Sequence, residues 1–102
     1  MDLNGKTVLF TGASRRMGAA LALAISAKGA KIGIHYNHSK KEAEAVAKTI
    51  EKTGGIVFLT QGDISKTKDC KKIVVETAQA LGRLDVLINN AAIFPRTPFF
   101  KT

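Results

Sequence analysis

The stretch KTVLFTGASRRMG, residues 6–18, sets a pattern that the rest of the chain repeats. Its apolar run KTVLFTG (6–12) is typical of a strand buried on both faces, and the Thr-Gly pair at its end predicts a tight turn. The segment that follows, from Met17 to Lys28, predicts a helix that Gly29 ends, with an apolar face formed by Met17, Leu21, Ala24 and Ile25. The first elements of the chain are therefore predicted to be a strand, a turn and a helix.

Strand and helix patterns alternate from there without a break. Apolar runs predict three further strands, in KIGIHY (31–36), IVFLTQ (56–61) and RLDVLINN (83–90). Such an order calls for parallel strands joined by right-handed crossovers, with helices on both faces of the sheet. The sequence thus predicts a doubly wound α/β unit.

Two more helices are predicted between these strands. Ser39 and Glu42 form a capping-box signature before the first of them, which ends at Gly54-Gly55. Ser65 is a candidate cap for the second, which ends at Gly82. The residues predicted to face inward are Ala43, Val46, Ala47 and Ile50 in the first helix and Ile73, Val74, Thr77 and Leu81 in the second.

Size and composition limit the classes of protein to consider. The chain, residues 1–102, is one domain at most, and no apolar run is long enough to span a membrane or act as a secretory leader, so a cytoplasmic protein is expected. The net charge of +8 invites a nucleic-acid partner, but the lysines of KKEAEAVAKTIEK are interleaved with glutamates as on a solvated helix surface. Neither nucleic acid nor a membrane is therefore expected as a partner. The single cysteine, Cys70, can form neither an internal disulfide nor a metal cluster and is expected to be a small core residue.

The tail AAIFPRTPFFKT (91–102) is unusually apolar for the end of a protein. It follows a strand that should be central to the sheet, and it carries Phe94, Phe99 and Phe100 with nothing left in the chain to cover them. We expect the chain to be part of a longer α/β protein.

The glycine-spaced turn after the first strand is the candidate ligand site. In a doubly wound sheet, ligands bind beyond the carboxyl ends of the strands, where the strand order reverses. Gly12 allows the sharp turn, and Gly18 lets a pyrophosphate approach backbone N–H groups at the positive end of the helix dipole. A tight turn without a ligand is the alternative. Positions 17–19 read Met-Gly-Ala, which excludes a P-loop, and Ser14 excludes the strict G-x-G-x-x-G fingerprint.

The remaining pattern, T-G-x-x-x-x-x-G, resembles the short-chain dehydrogenase/reductase family, whose signature is T-G-x-x-x-G-x-G. Thr11, Gly12 and Gly18 match that signature, and Arg16 replaces its middle glycine. Asp63 stands where the family places an aspartate beside the adenine, and Asn89-Asn90-Ala91-Ala92 is similar to the family's N-N-A-G. The resemblance implies the N-terminal half of a Rossmann fold with strand order 3-2-1-4.

The arginine in the motif is similar to the pteridine reductase branch of that family. In that branch the arginine reaches the substrate and the cofactor phosphate, and a phenylalanine stacks on the pterin ring. Arg16 and Phe94 stand in those two places and are the predicted substrate-binding residues. A surface arginine and a core phenylalanine are the alternatives, and Ala92 departs from the serine that this branch often has.

The second strand indicates which nicotinamide cofactor is preferred. It ends in HYNHS (35–39), without the carboxylate that NAD-specific folds use for the ribose hydroxyls. Arg15 is where NADP-using relatives carry a basic residue, and Ser39 and His38 are candidates for the 2′-phosphate. Taken singly, Ser39 is better explained as a helix cap, and the alternative for His38 is a loop residue. NADP is therefore expected. The predicted cofactor-binding residues are Gly12, Ser14, Arg15, Arg16, Met17, Gly18, His38, Ser39, Asp63, Ile64, Asn90 and Ala91.

The resemblance implies an NADP-dependent oxidoreductase that transfers hydride to a carbonyl or imine, in the manner of a pteridine reductase or a 3-oxoacyl-carrier reductase. The family's catalytic Ser or Asp, Tyr and Lys belong to the second half of the fold. The spacing of Tyr36 and Lys40 is a coincidence at the adenosine end of the site, so no catalytic residue and no metal ligand is assigned. The chain alone is expected to bind cofactor at most, and a small-molecule substrate is expected for the longer protein. The alternatives are a non-catalytic NADP-sensing module and, least favoured, an RNA-binding fragment.

A homo-oligomer is also expected from the predicted strand order. In the order 3-2-1-4 the fourth strand is left as an open edge of the sheet. We expect two copies to associate through that edge or through the exposed phenylalanines.

Overall fold

The structure, a computed structural model, describes residues 3–11 and 16–89, and the side chains of 3–11 and 19–88. Strands and helices alternate through the described part of the chain, as the sequence predicts. The elements are β1 (Thr7–Thr11), α1 (Arg16–Ser26), β2 (Lys31–Tyr36), α2 (Lys40–Lys52), β3 (Ile56–Gln61), α3 (Thr67–Leu81) and β4 (Val86–Asn89).

The four strands form one parallel sheet in the order β3-β2-β1-β4. Phe10 of β1 lies opposite Ile34 of β2 on one side and Ile88 of β4 on the other. This confirms the predicted order 3-2-1-4. Because the chain moves outward from β1 to β3 and then returns to the other side of β1, the strand order reverses between β1 and β4, and their carboxyl ends border the crevice where such folds bind ligands.

The main core lies between the sheet and helices α1 and α2. Alternate residues of β1 and β2 point toward these helices, as the two-residue period of a strand requires. The inward residues of α2 are buried as predicted. The cluster comprises Val8, Phe10, Ala22, Ala30, Ile32, Ile34, Ala43, Val46 and Ile50, and Ala47 is buried beside it.

Helix α3 covers the opposite face of the sheet and contacts β1, β2 and β3. Its residues Ile73, Thr77 and Leu81 are buried, as predicted. A Cβ atom at Gly33 of β2 would lie 2.8 Å from Thr77 Cγ2, so only glycine lets the strand and helix approach this closely. Helices therefore pack on both faces, which confirms the doubly wound arrangement.

The predicted apolar face of α1 is partly wrong. Leu21 is 39% exposed, and Ala24 is also exposed. Among the side chains of α1 from residue 19 onward, Ala22 and Ser26 are the buried ones. They lie four residues apart, so they share one face of the helix, and both are small. The helix ends at Ser26, two residues before the predicted Lys28, and a turn closed at Gly29 (φ 92°) follows it.

Three expectations for α3 and its surroundings are corrected. Lys66, not Ser65, is at the N-cap position, because the Ser65 hydroxyl donates to the Asp63 carboxylate instead. Val74 is 37% exposed, since Ile73 and Thr77 already occupy the stripe against the sheet. Cys70 is only half-buried, and its thiol donates to the Ile64 carbonyl at 3.0 Å.

Strand β4 begins at Val86, later than the predicted start at Arg83. The residues before it are held by side-chain contacts: Thr7 N–H donates to Asp85 Oδ2 at 2.9 Å, and Arg83 pairs with Asp85 Oδ1. The Thr7 N–H is the main cause that lowers the pKa of the Asp85 carboxyl below its ordinary value. This contact fixes the start of β4 beside the start of β1. None of the helices in the described ranges is long and apolar enough to cross a membrane.

Candidate functional site

The loops after β2 and β3 meet at the carboxyl edge of the sheet. Gly62 N–H donates to the Tyr36 carbonyl at 3.1 Å, which continues the β2–β3 pairing by one residue. Gln61 Nε2 donates to the Asn37 carbonyl at 3.2 Å. These bonds bring residues 37–39 and 62–65, which contain four of the predicted cofactor-binding residues, to one edge.

The Asp63 carboxylate at this edge is held in place by hydrogen bonds to one of its two oxygens. Its Oδ1 accepts hydrogen bonds from the Ser65 hydroxyl at 2.6 Å and from the Ser65 backbone N–H at 2.9 Å. These two bonds lower the pKa of the Asp63 carboxyl below its ordinary value against a raising effect of desolvation, and electrostatic interactions with Lys66 and His38 lower it further. Within residues 3–11 and 16–89 no hydrogen bond reaches Oδ2. The carboxylate is therefore ionised at neutral pH, with one oxygen able to accept an N–H from a ligand.

The backbone around Asp63 is held by α3. Asp63 N–H donates to Asp69 Oδ2 at 2.8 Å, and the Cys70 thiol bonds to the Ile64 carbonyl. Ile64, also predicted at the cofactor, is half-buried. The loop is thus attached to the first turn of the helix that follows it.

The residues of the β2–α2 loop differ in how the structure uses them. His38 is exposed, and it lies close enough to Asp63 to lower the pKa of the Asp63 carboxyl. Ser39 is at the N-cap position of α2, but its side chain makes no capping hydrogen bond, and its φ and ψ of −92° and 56° are not those of an extended cap. The capping-box prediction is therefore right in position but wrong in chemistry, because a capping side chain needs the extended backbone that Ser39 does not have.

A functional candidate that the sequence reasoning missed is His35. Its side chain is only 3% exposed, and its Nε2 lies 2.7 Å from the Gly62 carbonyl oxygen. In the sequence, His35 stands out only as part of HYNHS (35–39), a stretch without a carboxylate. The signal was available in KIGIHY, where the two-residue period puts His35 on the same buried face as Gly33.

The structure does not test the remaining predicted site residues. Arg16, Met17 and Gly18 are the first three residues of α1, and their side chains are outside the described set. Tyr36 packs against the core, and Lys40 is the first residue of α2. The predictions for Gly12, Ser14, Arg15, Asn90, Ala91 and Phe94 lie outside the described residues.

Known proteins resemble this chain over nearly its whole length. A family model described as short chain dehydrogenase matches residues 6–102. Versicolorin reductase 1 of Aspergillus parasiticus is 38% identical over 91 residues, which cover 89% of this chain and 35% of that protein.

Solved structures give the same result. A short chain dehydrogenase from Burkholderia cenocepacia in complex with NADP is 39% identical, with a TM-score of 0.85 over 95% of this chain and 40% of that chain. FolM alternative dihydrofolate reductase 1 from Brucella canis, complexed with NADP, is 31% identical, with a TM-score of 0.81 over 95% of this chain and 39% of that chain. The chain thus spans at most 40% of the length of these relatives. Since the family model covers residues 6–102 and the sheet has the order that the glycine motif implied, the chain belongs to the short chain dehydrogenase family.

Proposed function

We propose that the chain binds the adenosine and pyrophosphate half of a nicotinamide cofactor at the carboxyl edge of its sheet. The observation that carries this proposal is the Asp63 carboxylate, which Ser65 holds by one oxygen while the other accepts no hydrogen bond from the described residues. An exocyclic amino group such as that of adenine has the N–H that such an oxygen accepts. The solved relatives in complex with NADP support a nicotinamide cofactor.

We further propose that NADP is preferred over NAD. The segment from Tyr36 to Ser39 contains no carboxylate to repel a 2′-phosphate or to bind both ribose hydroxyls. Ser39 has a hydroxyl that does not cap its helix, and His38 is exposed beside it. Arg15, which follows β1 in the sequence, adds a permanent charge. Together these groups favour a phosphate at the end of β2.

Because the chain spans at most 40% of the length of its relatives, the reaction is proposed for a longer protein that contains it: hydride transfer between the nicotinamide and a carbonyl or imine. The family and the named reductase relative support it. The similarity to the FolM dihydrofolate reductase supports a pteridine-like substrate, for which Arg16 and Phe94 are the proposed substrate-binding residues. A 3-oxoacyl compound is the other proposed substrate. Residues 1–102 hold no assigned catalytic residue.

The alternative is a non-catalytic module that binds NADP as a signal. A Tyr-x-x-x-Lys on a helix beyond Thr102 would decide for the enzyme.

Isothermal titration with NADPH and NADH tests the cofactor assignment. We expect NADPH to bind at least about tenfold more tightly, since charge-assisted bonds to a phosphate contribute about 1.5–3 kcal/mol. Arg15→Ala should bring the two affinities together. Arg83→Ala removes an equal charge where Arg83 pairs with Asp85, before β4, and is the control that should change neither. Equal affinities, or no binding of either dinucleotide, would contradict the proposal.

A further inference from the structure

His35 lies directly beneath the loop that carries Asp63. In β2 it is paired with Thr11 of β1 on one side and Thr60 of β3 on the other, so it is surrounded by the sheet. His35 is only 3% exposed, and it lies on the same face of β2 as Gly33, whose nearest neighbour is Thr77 of α3. A polar ring is rarely buried this deeply without a specific partner.

The partner of His35 is the backbone of the Asp63 loop. A carbonyl oxygen only accepts, so the contact between Nε2 and the Gly62 oxygen at 2.7 Å requires the proton to be on Nε2. Nδ1 is buried and makes no hydrogen bond with the described residues. The one interaction that the ring makes with its polar atoms in the described part of the chain is therefore the bond to Gly62.

Both backbone polar groups of Gly62 are bound by consecutive residues of β2. Its N–H donates to the Tyr36 carbonyl, and its carbonyl, which belongs to the Gly62–Asp63 peptide, accepts from His35. A Cβ at Gly62 would lie 3.0 Å from Ile73 Cδ1, so the residue also sits tightly against α3. The next residue, Asp63, is held through its own N–H by Asp69. A carboxylate attached to such a backbone has little freedom of direction.

We propose that His35 is a positioning residue that orients the Gly62–Asp63 peptide and so sets the base preference of the cofactor site. The inference rests on the proposed function, since it assumes that Asp63 Oδ2 receives the amino group of adenine. His35 itself does not touch the cofactor. Without its bond the Gly62 carbonyl is buried and unpaired, and the loop must turn to satisfy it, which carries Asp63 away from the base.

The test compares NADPH with the reduced hypoxanthine analogue, in which an oxygen replaces the adenine amino group. That oxygen meets the Asp63 carboxylate as acceptor against acceptor, so the wild-type chain should prefer NADPH by at least about tenfold. His35→Leu, which lacks a donor, should reduce the preference to less than about twofold. His35→Gln places an amide donor at nearly the reach of Nε2 and should restore most of it.

Thr60→Val is the matched control for a merely structural role. Thr60 is also 3% exposed, lies beside His35 in the sheet, and loses a bond to Glu76 Oε1 when substituted. It should lower the melting temperature without changing the base preference. If His35→Leu keeps the wild-type preference, or Thr60→Val loses it equally, the positioning role is wrong. If His35→Leu does not fold, the Gln variant decides, because loss of preference there also contradicts the proposal.

The failure of the proposed function has a different signature. Wild-type chain that binds neither dinucleotide, or both equally, would overturn the assignment of Asp63 to the adenine and the role of His35 with it. Wild-type preference that survives in His35→Leu overturns only the role of His35.

Discussion

Asp63 shows how a single carboxylate is prepared for a ligand by its neighbours. Ser65 binds one oxygen twice, Asp69 accepts from the backbone N–H, and His35 binds the Gly62 carbonyl at the other end of the same peptide. The lowered pKa of this carboxyl follows mainly from the bonds of Ser65 to the charged form. The residue is therefore charged and oriented before any ligand arrives, which reduces the ordering that binding has to supply.

Ser39 gives a residue-level prediction, because its hydroxyl is not used as a cap. A capping serine replaced by alanine costs about 1 kcal/mol of stability, whereas we expect Ser39→Ala to cost less than about 0.5 kcal/mol in urea unfolding. The same variant should weaken NADPH binding about tenfold, since it removes a hydrogen bond to the 2′-phosphate. NADH, which lacks that phosphate, is the internal control and should bind unchanged. A large loss of stability with unchanged NADPH affinity would show that Ser39 is a cap after all.

At the level of elements, the close approach of β2 to α3 places the end of β2 and its buried histidine. Gly33 leaves no side chain between the strand and Thr77, and Leu9 of β1 is the other near neighbour. The same face of β2 presents His35 two residues later. The distance between strand and helix is therefore set by residues that do not belong to the site.

A double-variant cycle tests this contact. Gly33→Ala puts a methyl group 2.8 Å from Thr77 Cγ2, and such overpacking costs about 1–3 kcal/mol. Thr77→Ser removes the Cγ2 atom, so the double variant should be more stable than the sum of the single losses by at least about 0.5 kcal/mol. Urea unfolding measures all four proteins. Strictly additive losses would mean that the strand moves away from the helix and that the packing is not as tight as described.

The sequence predicts the elements well and their contacts less well. Alternating apolar runs and glycine stops locate all four strands and three helices of the described ranges, because burial and backbone conformation are local signals. Leu21 and Val74 are predicted to face the core but are exposed, since the width of the buried face of a helix depends on what packs against it. Ser65 looked like a cap but is bound to Asp63, two residues away.

The residues of the candidate site could be predicted from the sequence, but not the contacts among them. Its motif residues could be named because a family resemblance supplies them, and Asp63 and His38 do meet at one edge. The bond between His35 and Gly62 joins residues 27 apart in sequence, through a pairing of β2 with β3 that no local pattern contains. Only the folded sheet brings these two positions together.

For the whole molecule, the strand order leaves β4 at one margin of the sheet. Within the described residues β4 pairs with β1 alone, so its other side presents backbone groups that can pair with a further strand. We propose that copies of the chain associate, either through this edge or through the phenylalanines of the 91–102 segment. The strand order supplies the edge that such an association needs.

Sedimentation velocity over a concentration series measures this association. We expect a species larger than the 102-residue monomer, growing with concentration. Phe99→Ser combined with Phe100→Ser distinguishes the two surfaces, since association through β4 should survive it and association through the phenylalanines should not. A monodisperse monomer at every concentration would contradict the proposal.

The most direct measurement of the central claim is a crystal structure of the chain with NADPH. It should show the adenine amino group within hydrogen-bond distance of Asp63 Oδ2, the 2′-phosphate beside Ser39 and Arg15, and the pyrophosphate at the first turn of α1. Crystals soaked to saturation that show only solvent at this edge, with the loops open and unchanged, or the dinucleotide bound elsewhere, would contradict it.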